Sequence, residues 1–506
     1  MKEKWEKIIC RGSVALVVVL QVLVAEHMYK PQDRWFLHPD DEEVVYFGRA
    51  VFDHWLPSLP ERFNQTTNPT IDPAVGPLEG KLARNGATVS HRPPGIFYLM
   101  AIPAHLGPQA VMATIPWLCG LAVIAFYALA ERMTRPWPAA VAASVMAFSA
   151  PLLFWSNFSV NNVVAFGLLC AGLRLFIAPK PVWQASGAFL VGLTSLFRYE
   201  YSLLVASLGV AWLARQIWRR EWRWTDLMPR VGGGLAAAIV VGTMLYVLYG
   251  TLNFVAITRG ASSTGIEDTL DSTVGAVSGN ALENRIMLVG FLILPFVLFM
   301  ATAAWNPHVH WTIPPLIVSS IVLTWFFLGE EVYSQRFLMS NAFTRYLIPA
   351  IGIGALCLAF FLQDARKLSL GVVLCAAALL VTANFLLVAG EDGFGGARKV
   401  TSEYLTFVED ARKLPSDSIF IGERPAKTIL DAPVVSVYRY EKSDQPAIFT
   451  RSVAKLLSQG EHLFGLNNDD ATYKSWLKAD GRFRLVSSPV PSFYEVILAK
   501  PSPTKS

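Results

Sequence analysis

The sequence predicts a polytopic α-helical membrane protein of about eleven spans and one interfacial helix, closed by a small C-terminal α/β domain. Three observations carry that expectation. Only 16% of the 506 residues are charged and 53% are hydrophobic, with a mean hydropathy of +0.41; soluble domains carry roughly a quarter charged residues. Apolar runs close to the ~20 residues that cross a bilayer recur from the N-terminus to residue 389. Beyond residue 390 the pattern changes to an amphipathic helix and short strands.

The N-terminus, MKEKWEKIICRGSVALVVVLQVLVAE, has a charged start and an apolar run but no small-residue cleavage site, so 8–26 reads as a retained span rather than a signal peptide. Further spans are expected near 109–131, 138–155, 161–178, 182–197, 201–217, 231–249, 285–303, 311–328, 344–362 and 369–389. The basic connectors ERMTRPW (131–137), RQIWRREWRW (215–224) and QDARK (363–367) share a side with Lys2, Lys4, Lys7 and Arg11 only if PPGIFYLMAIPAHLG (93–107) does not cross. That piece is therefore read as an interfacial or re-entrant helix on the outer face, with the N-terminus cytoplasmic. The long first loop 27–92, the SNFSVNN turn (156–162), the FRYEY corner (197–201), the loop 250–284 and the segment 330–345 then meet outside. The domain division is 1–390 for the membrane part and 391–506 for an extracytoplasmic α/β domain, in which EYLTFVEDARKL is an amphipathic helix and DSIFIG, PVVSVYRY and FYEVILAK are strands.

Composition also excludes. The net charge of +5 is spread over short loops, not gathered in a patch, which argues against a nucleic-acid partner. Cys10, Cys119, Cys170, Cys357 and Cys375 form no close pair, so neither a disulfide framework nor a zinc site is indicated. There is no HxxH or HExxH spacing and no phosphate-cradling glycine motif; no metal or cofactor is expected. The triplet GGG at 232–234 opens a span and reads as a helix-packing device.

The residues able to carry chemistry lie on the expected outer side. HPDDEEVVYFGRA (38–50) sets Asp40, Asp41, Glu42 and Glu43 in a row ahead of a helical pattern. Acids there suit the first turn of a helix, with Asp40 or Asp41 as N-cap, and equally suit general-base work at a membrane surface. In SHRPPGIFYL (90–99), Arg92 precedes two prolines, which hold it extended, and a guanidinium at headgroup level can grip a phosphate at two points. His38 and His91 flank these two sites. Arg198 and Glu200 interrupt an apolar run and can neutralise each other or face a polar cavity, and Arg345 opens a span in FTRYLIPAIG. Asn64 and Asn157 begin glycosylation triplets, a weak signal.

A first span, an outer loop that begins with paired acids, an arginine before Pro-Pro, many spans and an outer C-terminal domain together resemble the GT-C superfamily of integral-membrane glycosyltransferases. The likeness is to the branch of dolichyl-phosphate-mannose protein mannosyltransferases and aminoarabinose transferases. HPDD is similar to the HPDE of mannosyltransferases that build glycolipid anchors, ERMTRPWPAAVAASVMAFSAPLLF to the family's helix pair around a basic turn, and TRYLIPA to its R-Y-L-x-P-A element. The resemblance implies an inverting transfer of a sugar from a polyprenyl-phosphate carrier to a glycan, lipid or protein acceptor on the extracytoplasmic or luminal face. It implies Asp41 (or Asp40) as base, with Glu42 as the alternative register four residues before Tyr46, Arg92 on the carrier phosphate and Arg345 as a second phosphate contact. His91, Asn161, Asn162, Arg198 and Glu200 become candidate substrate contacts. Many relatives carry a second acid where this chain has Asn161 and Asn162, which can bind hydroxyls but cannot act as a base. A plasma or inner membrane is favoured over an organelle. The rival readings are a transporter or flippase of lipid-linked sugars, which would want midplane charges and inverted repeats, and a membrane-anchored binding protein acting through 391–506.

Overall fold

The computed structural model describes residues 2–28, 39–59, 81–82, 88–90, 92–158, 161–219, 224–250, 252, 310–331, 345, 347–364, 370–422, 434–436, 446–467 and 472–499. Helix α1 (Lys2–Met28) opens the bundle and packs on α5 (Pro108–Met133) and α6 (Pro136–Ala147). Large apolar side chains remain exposed along α1 (Leu16, Leu20, Leu23) and α5 (Trp117, Leu121), a surface that belongs against lipid. By length and composition three described helices can each cross a membrane, Lys4–Met28, Pro108–Met133 and Leu227–Tyr249, and so can the apolar helix Leu370–Ala389. Shorter apolar helices, Pro136–Ala147, Asn161–Phe176, Ile313–Val322 and Ile348–Gln363, lie among them. The chain is an integral membrane protein.

Two expected elements come out differently. The span 138–155 is broken: α6 ends at Ala147 and α7 (Ala150–Trp155) begins after Ser149, whose hydroxyl donates to Met146 O at 2.8 Å. Pro151, in the first turn of α7, has no N–H with which to continue the ladder. The piece 93–107 is two short helices, α3 (Gly95–Leu99) and α4 (Ala101–Leu106), meeting at Met100. Ile96 and Phe97 are buried while Leu99, Ile102 and Leu106 are exposed, the distribution of a segment lying along a surface. The expected span 285–303 lies outside the described residues.

Between α1 and α3 the chain forms α2 (Pro39–His54) and a small antiparallel sheet, in which β3 (Thr88–Val89) sits between β1 (Ser58–Leu59) and β2 (Lys81–Leu82). Because β1 follows α2 directly, its pairing with β3 returns residues 88–90 to the flank of α2.

The rest of the bundle is α8 (Asn161–Phe176), α9 (Pro181–Leu193), α10 (Tyr201–Arg219), α11 (Trp224–Tyr249), α12 (Ile313–Glu331), α13 (Ile348–Asp364) and α14 (Leu370–Ala389). Helices α8, α9 and α11 approach backbone to backbone. A Cβ on Gly187 would collide with Phe176 N and stand 2.6 Å from Gly172 O, and one on Gly233 would collide with Ala185 O. Of the triple glycine only Gly233 makes such a contact; Gly232 and Gly234 face open space. Gly233→Ala is therefore expected to destabilise the detergent-solubilised protein by about 1–3 kcal/mol through overpacking, and Gly232→Ala to leave it unchanged, as read from thermal aggregation midpoints. Equal midpoints would show that α9 and α11 are not in backbone contact. Cys10, Cys119, Cys170 and Cys357 are buried, as expected of small core residues, but Cys375 is exposed on α14.

After α14 a tight turn, Glu391–Gly395, places Phe394 against Phe154 and Phe158, with ring centroids 5.2 and 6.1 Å apart. Helix α15 (Gly396–Ala411) leads into a five-stranded sheet of order β5-β4-β6-β8-β7, comprising β4 (Ile419–Gly422), β5 (Val434–Ser436), β6 (Leu463–Leu466), β7 (Phe483–Ser487) and β8 (Phe493–Leu498). Strands β5, β4 and β6 are parallel and β6, β8 and β7 antiparallel. Side chains alternate along β4: Ile419 and Ile421 join Phe449 of α16 (Pro446–Ser458) and Tyr473 of α17 (Thr472–Ala479). Phe420 faces the opposite side with Phe464, Phe493 and Phe407 of α15. Asp410 of α15 accepts from Lys413 at 2.6 Å and from the Ser492 hydroxyl, and these bonds hold its carboxyl below the ordinary range.

Candidate active site

Helix α2 begins at Pro39, a residue suited to the first helical position. Asp40, Asp41 and Glu42 thus occupy the first turn, and neither Asp40 nor Asp41 is the N-cap expected of it. Their side chains lie outside the described residues, as does His91. The fourth acid, Glu43, is described: it is 1% exposed, one face inward with Phe47 and Ala50, at helical spacing.

Glu43 meets Arg92. The Arg92 Nε stands 3.2 Å from Glu43 Oε2, an ion pair rather than an aligned hydrogen bond, and the Ser90 hydroxyl donates to the same oxygen. Ser90 Oγ in turn accepts from the Arg92 backbone N–H at 3.0 Å. On the other side, the Tyr249 hydroxyl at the end of α11 shares its proton between the carbonyls of Ser90 (2.6 Å) and Arg92 (2.9 Å). Three separate elements therefore define the position of Arg92: α2, the strand end at 88–90, and α11. The following residues add a fourth constraint. Pro93 restricts Arg92, and Gly95 brings α3 so close to the turn after α9 that a Cβ there would lie 2.8 Å from Leu196 O.

The FRYEY corner adjoins this group. Arg198, buried at 5%, is held by both oxygens of Glu200, at 3.1 and 2.8 Å, so these charges neutralise each other. Tyr199 packs with Tyr249 against Leu196 and Leu245. Tyr201 donates to the Asn162 carbonyl at 3.1 Å, which links the corner to the SNFSVNN turn.

That turn forms a second cluster. Asn157, Asn161 and Asn162 are all buried, and among the described residues Asn157 Nδ2, Asn161 Oδ1 and Asn162 Nδ2 make no hydrogen bond. Burial also removes Asn157 as an accessible glycosylation acceptor. Arg345, 5% exposed and three residues before α13, places its guanidinium 5.7 Å from the ring centre of Trp155. The candidates whose side chains are described thus gather at one end of the bundle. Basic connectors gather at the other: Arg11 pairs with Glu131 at 3.2 Å, the Arg135 N–H donates to Gln363 at 3.2 Å, and Arg215 sits 5.3 Å from the Trp311 ring. Among the described residues no three His, Cys, Asp or Glu side chains gather as a metal site.

These features define a class: a polytopic helical membrane protein with an acid-bearing helix pinned to an arginine at one end of the bundle. No protein-family model and no curated relative matches the sequence. Solved structures do. ArnT from Cupriavidus metallidurans, an aminoarabinose transferase, aligns in its apo state with a TM-score of 0.54 at 14% identity, over 96% of this chain and 98% of that one. The same protein bound to undecaprenyl phosphate aligns with a TM-score of 0.51 at 14% identity and the same coverage. The apo oligosaccharyltransferase of Archaeoglobus fulgidus aligns at 0.50 with 11% identity, over 95% of this chain and 74% of that one. At these identities the likeness is one of fold alone.

Proposed function

We propose that the protein is an inverting glycosyltransferase that moves a hexosyl or pentosyl group from a polyprenyl-phosphate carrier to an acceptor on the extracytoplasmic face. A carboxylate of the first turn of α2, Asp41 or its neighbours Asp40 and Glu42, takes the acceptor proton. The acceptor oxygen attacks the anomeric carbon, the glycosidic C–O bond to phosphate breaks, and the polyprenyl phosphate leaves with the bonding pair. A base has to lie within hydrogen-bond reach of the acceptor, and fixed cations beside the leaving phosphate lower the barrier as its charge grows. Arg92 is assigned to that phosphate, with Arg345 as a second contact and Asn161, Asn162 and His91 toward sugar or acceptor. The C-terminal α/β unit is placed on the same face.

The observation that carries this reading is the Glu43–Arg92 ion pair. Asp40 stands three residues, one helical turn, before Glu43, so the pair brings the acid row and the arginine into one locality. The undecaprenyl phosphate bound to ArnT supports the class of carrier. Arg198 and Glu200, paired with each other, are kept as candidate substrate contacts.

The test is incubation of the purified protein with a panel of polyprenyl-phosphate sugars and candidate acceptors, with free polyprenyl phosphate as the readout. Release dependent on an acceptor is expected with at least one donor. Passage of intact lipid-linked sugar between vesicle leaflets without release would establish the flippase instead.

A further inference from the structure

We infer that Glu43 is a positioning residue for Arg92 and sets how tightly the carrier phosphate is held; this rests on the assignment of Arg92 to that phosphate. The argument starts from burial. A carboxylate 1% exposed is an expensive group to keep, and buried ion pairs are frequently no more stabilising than apolar side chains of the same size. The fold alone does not call for it. What the carboxylate does is local. Its Oε2 meets the Nε edge of Arg92 and accepts from Ser90, while Ser90 Oγ accepts from the Arg92 N–H, closing a ring through side chain and backbone. Tyr249 clamps the carbonyls on both sides of the same segment. A guanidinium drawn to a fixed carboxylate on its Nε side, on a backbone held by Ser90 and Tyr249, has a restricted position, which matters because its other donors act in a fixed fork.

The same contact governs strength. A carboxylate at 3.2 Å offsets part of the arginine's charge, so a phosphate at Arg92 meets a weakened cation. A transferase needs that moderation, since its product is the carrier phosphate and must leave. Positioning and moderation separate experimentally. Glu43→Gln keeps the size and the acceptor oxygen but removes the charge. Its kcat is expected to fall about tenfold from loosened alignment, while the inhibition constant of undecaprenyl phosphate, added as product, falls about three- to tenfold because the Glu43 charge no longer offsets part of that of Arg92. A purely architectural Glu43 would lower the yield of folded protein and leave both constants per active site unchanged.

Glu43→Asp retains the charge on a shorter arm; its inhibition constant should stay within about twofold of the wild type while kcat falls. These two profiles together support the inference. An inhibition constant for Glu43→Gln that is unchanged or raised overturns it. The double variant Glu43→Gln/Arg92→Ala distinguishes the levels. If the double variant transfers sugar normally, Arg92 does not serve the phosphate and the underlying reading fails. If it is inactive while Glu43→Gln matches wild type in both constants, only the role of Glu43 fails.

Discussion

Arg92→Ala is expected to lower sugar transfer by about 10²–10³-fold, the loss found when one fixed donor to a developing anion is removed. It is also expected to cost about 3–5 kcal/mol of stability, because the buried Glu43 carboxylate loses its ion pair with Arg92. The two effects are separable. In Glu43→Gln/Arg92→Ala no charge is stranded, and the glutamine oxygen still accepts from Ser90. The thermal aggregation midpoint should therefore return most of the way to wild type, while transfer stays at the Arg92→Ala level. Activity that recovers together with the midpoint would mean that Arg92 served the fold alone. Arg92→Lys is a finer probe: lysine supplies the charge but not the planar fork, so partial activity with a raised KM for the lipid-linked donor is the expected result.

The membrane helices were largely legible because a lipid-facing helix announces itself by apolar length; α1, α5, α8 and α14 lie within a few residues of the runs that predict them. The break within 138–155 had a visible signal, Pro151, inside a run too apolar for length alone to divide. Along the C-terminal stretch, three of the strands coincide with β-rich runs, but β6 and β7 were not read. HLFGL and FRLVS are short, and their strand character comes from pairing with β4 and β8. In the site, Arg92 was legible from its double proline, whereas Glu43 was missed among four adjacent acids. Its signal was the spacing to Phe47 and Ala50, which continues the buried face of α2 back to the acid. Ser90 and Tyr249 carried no such signal. A tyrosine closing a span reads as an interfacial aromatic, and its hydrogen bonds to residues 157 and 159 positions away exist only once the chain is folded.

The second large effect is expected at the acid row. Of Asp40→Asn, Asp41→Asn and Glu42→Gln, the one that removes the base should lower transfer by about 10²–10⁴-fold, and the others should stay within about tenfold of wild type. Asp41→Asn is the variant placed first, with Asp40→Asn as its register alternative. Each exchange keeps side-chain size and removes only charge at the start of α2, where favourable interaction with the helix dipole is worth about 0.3–1 kcal/mol. Expression and thermal midpoint should hardly move, so a lost activity reports chemistry. The adjoining turn offers no substitute, because Asn161 and Asn162 are amides, and an amide cannot take the proton. Glu43 is likewise committed to Arg92 and Ser90. If all three single variants transfer sugar at wild-type rates, the base lies elsewhere and the row of acids is only a well-placed helix start.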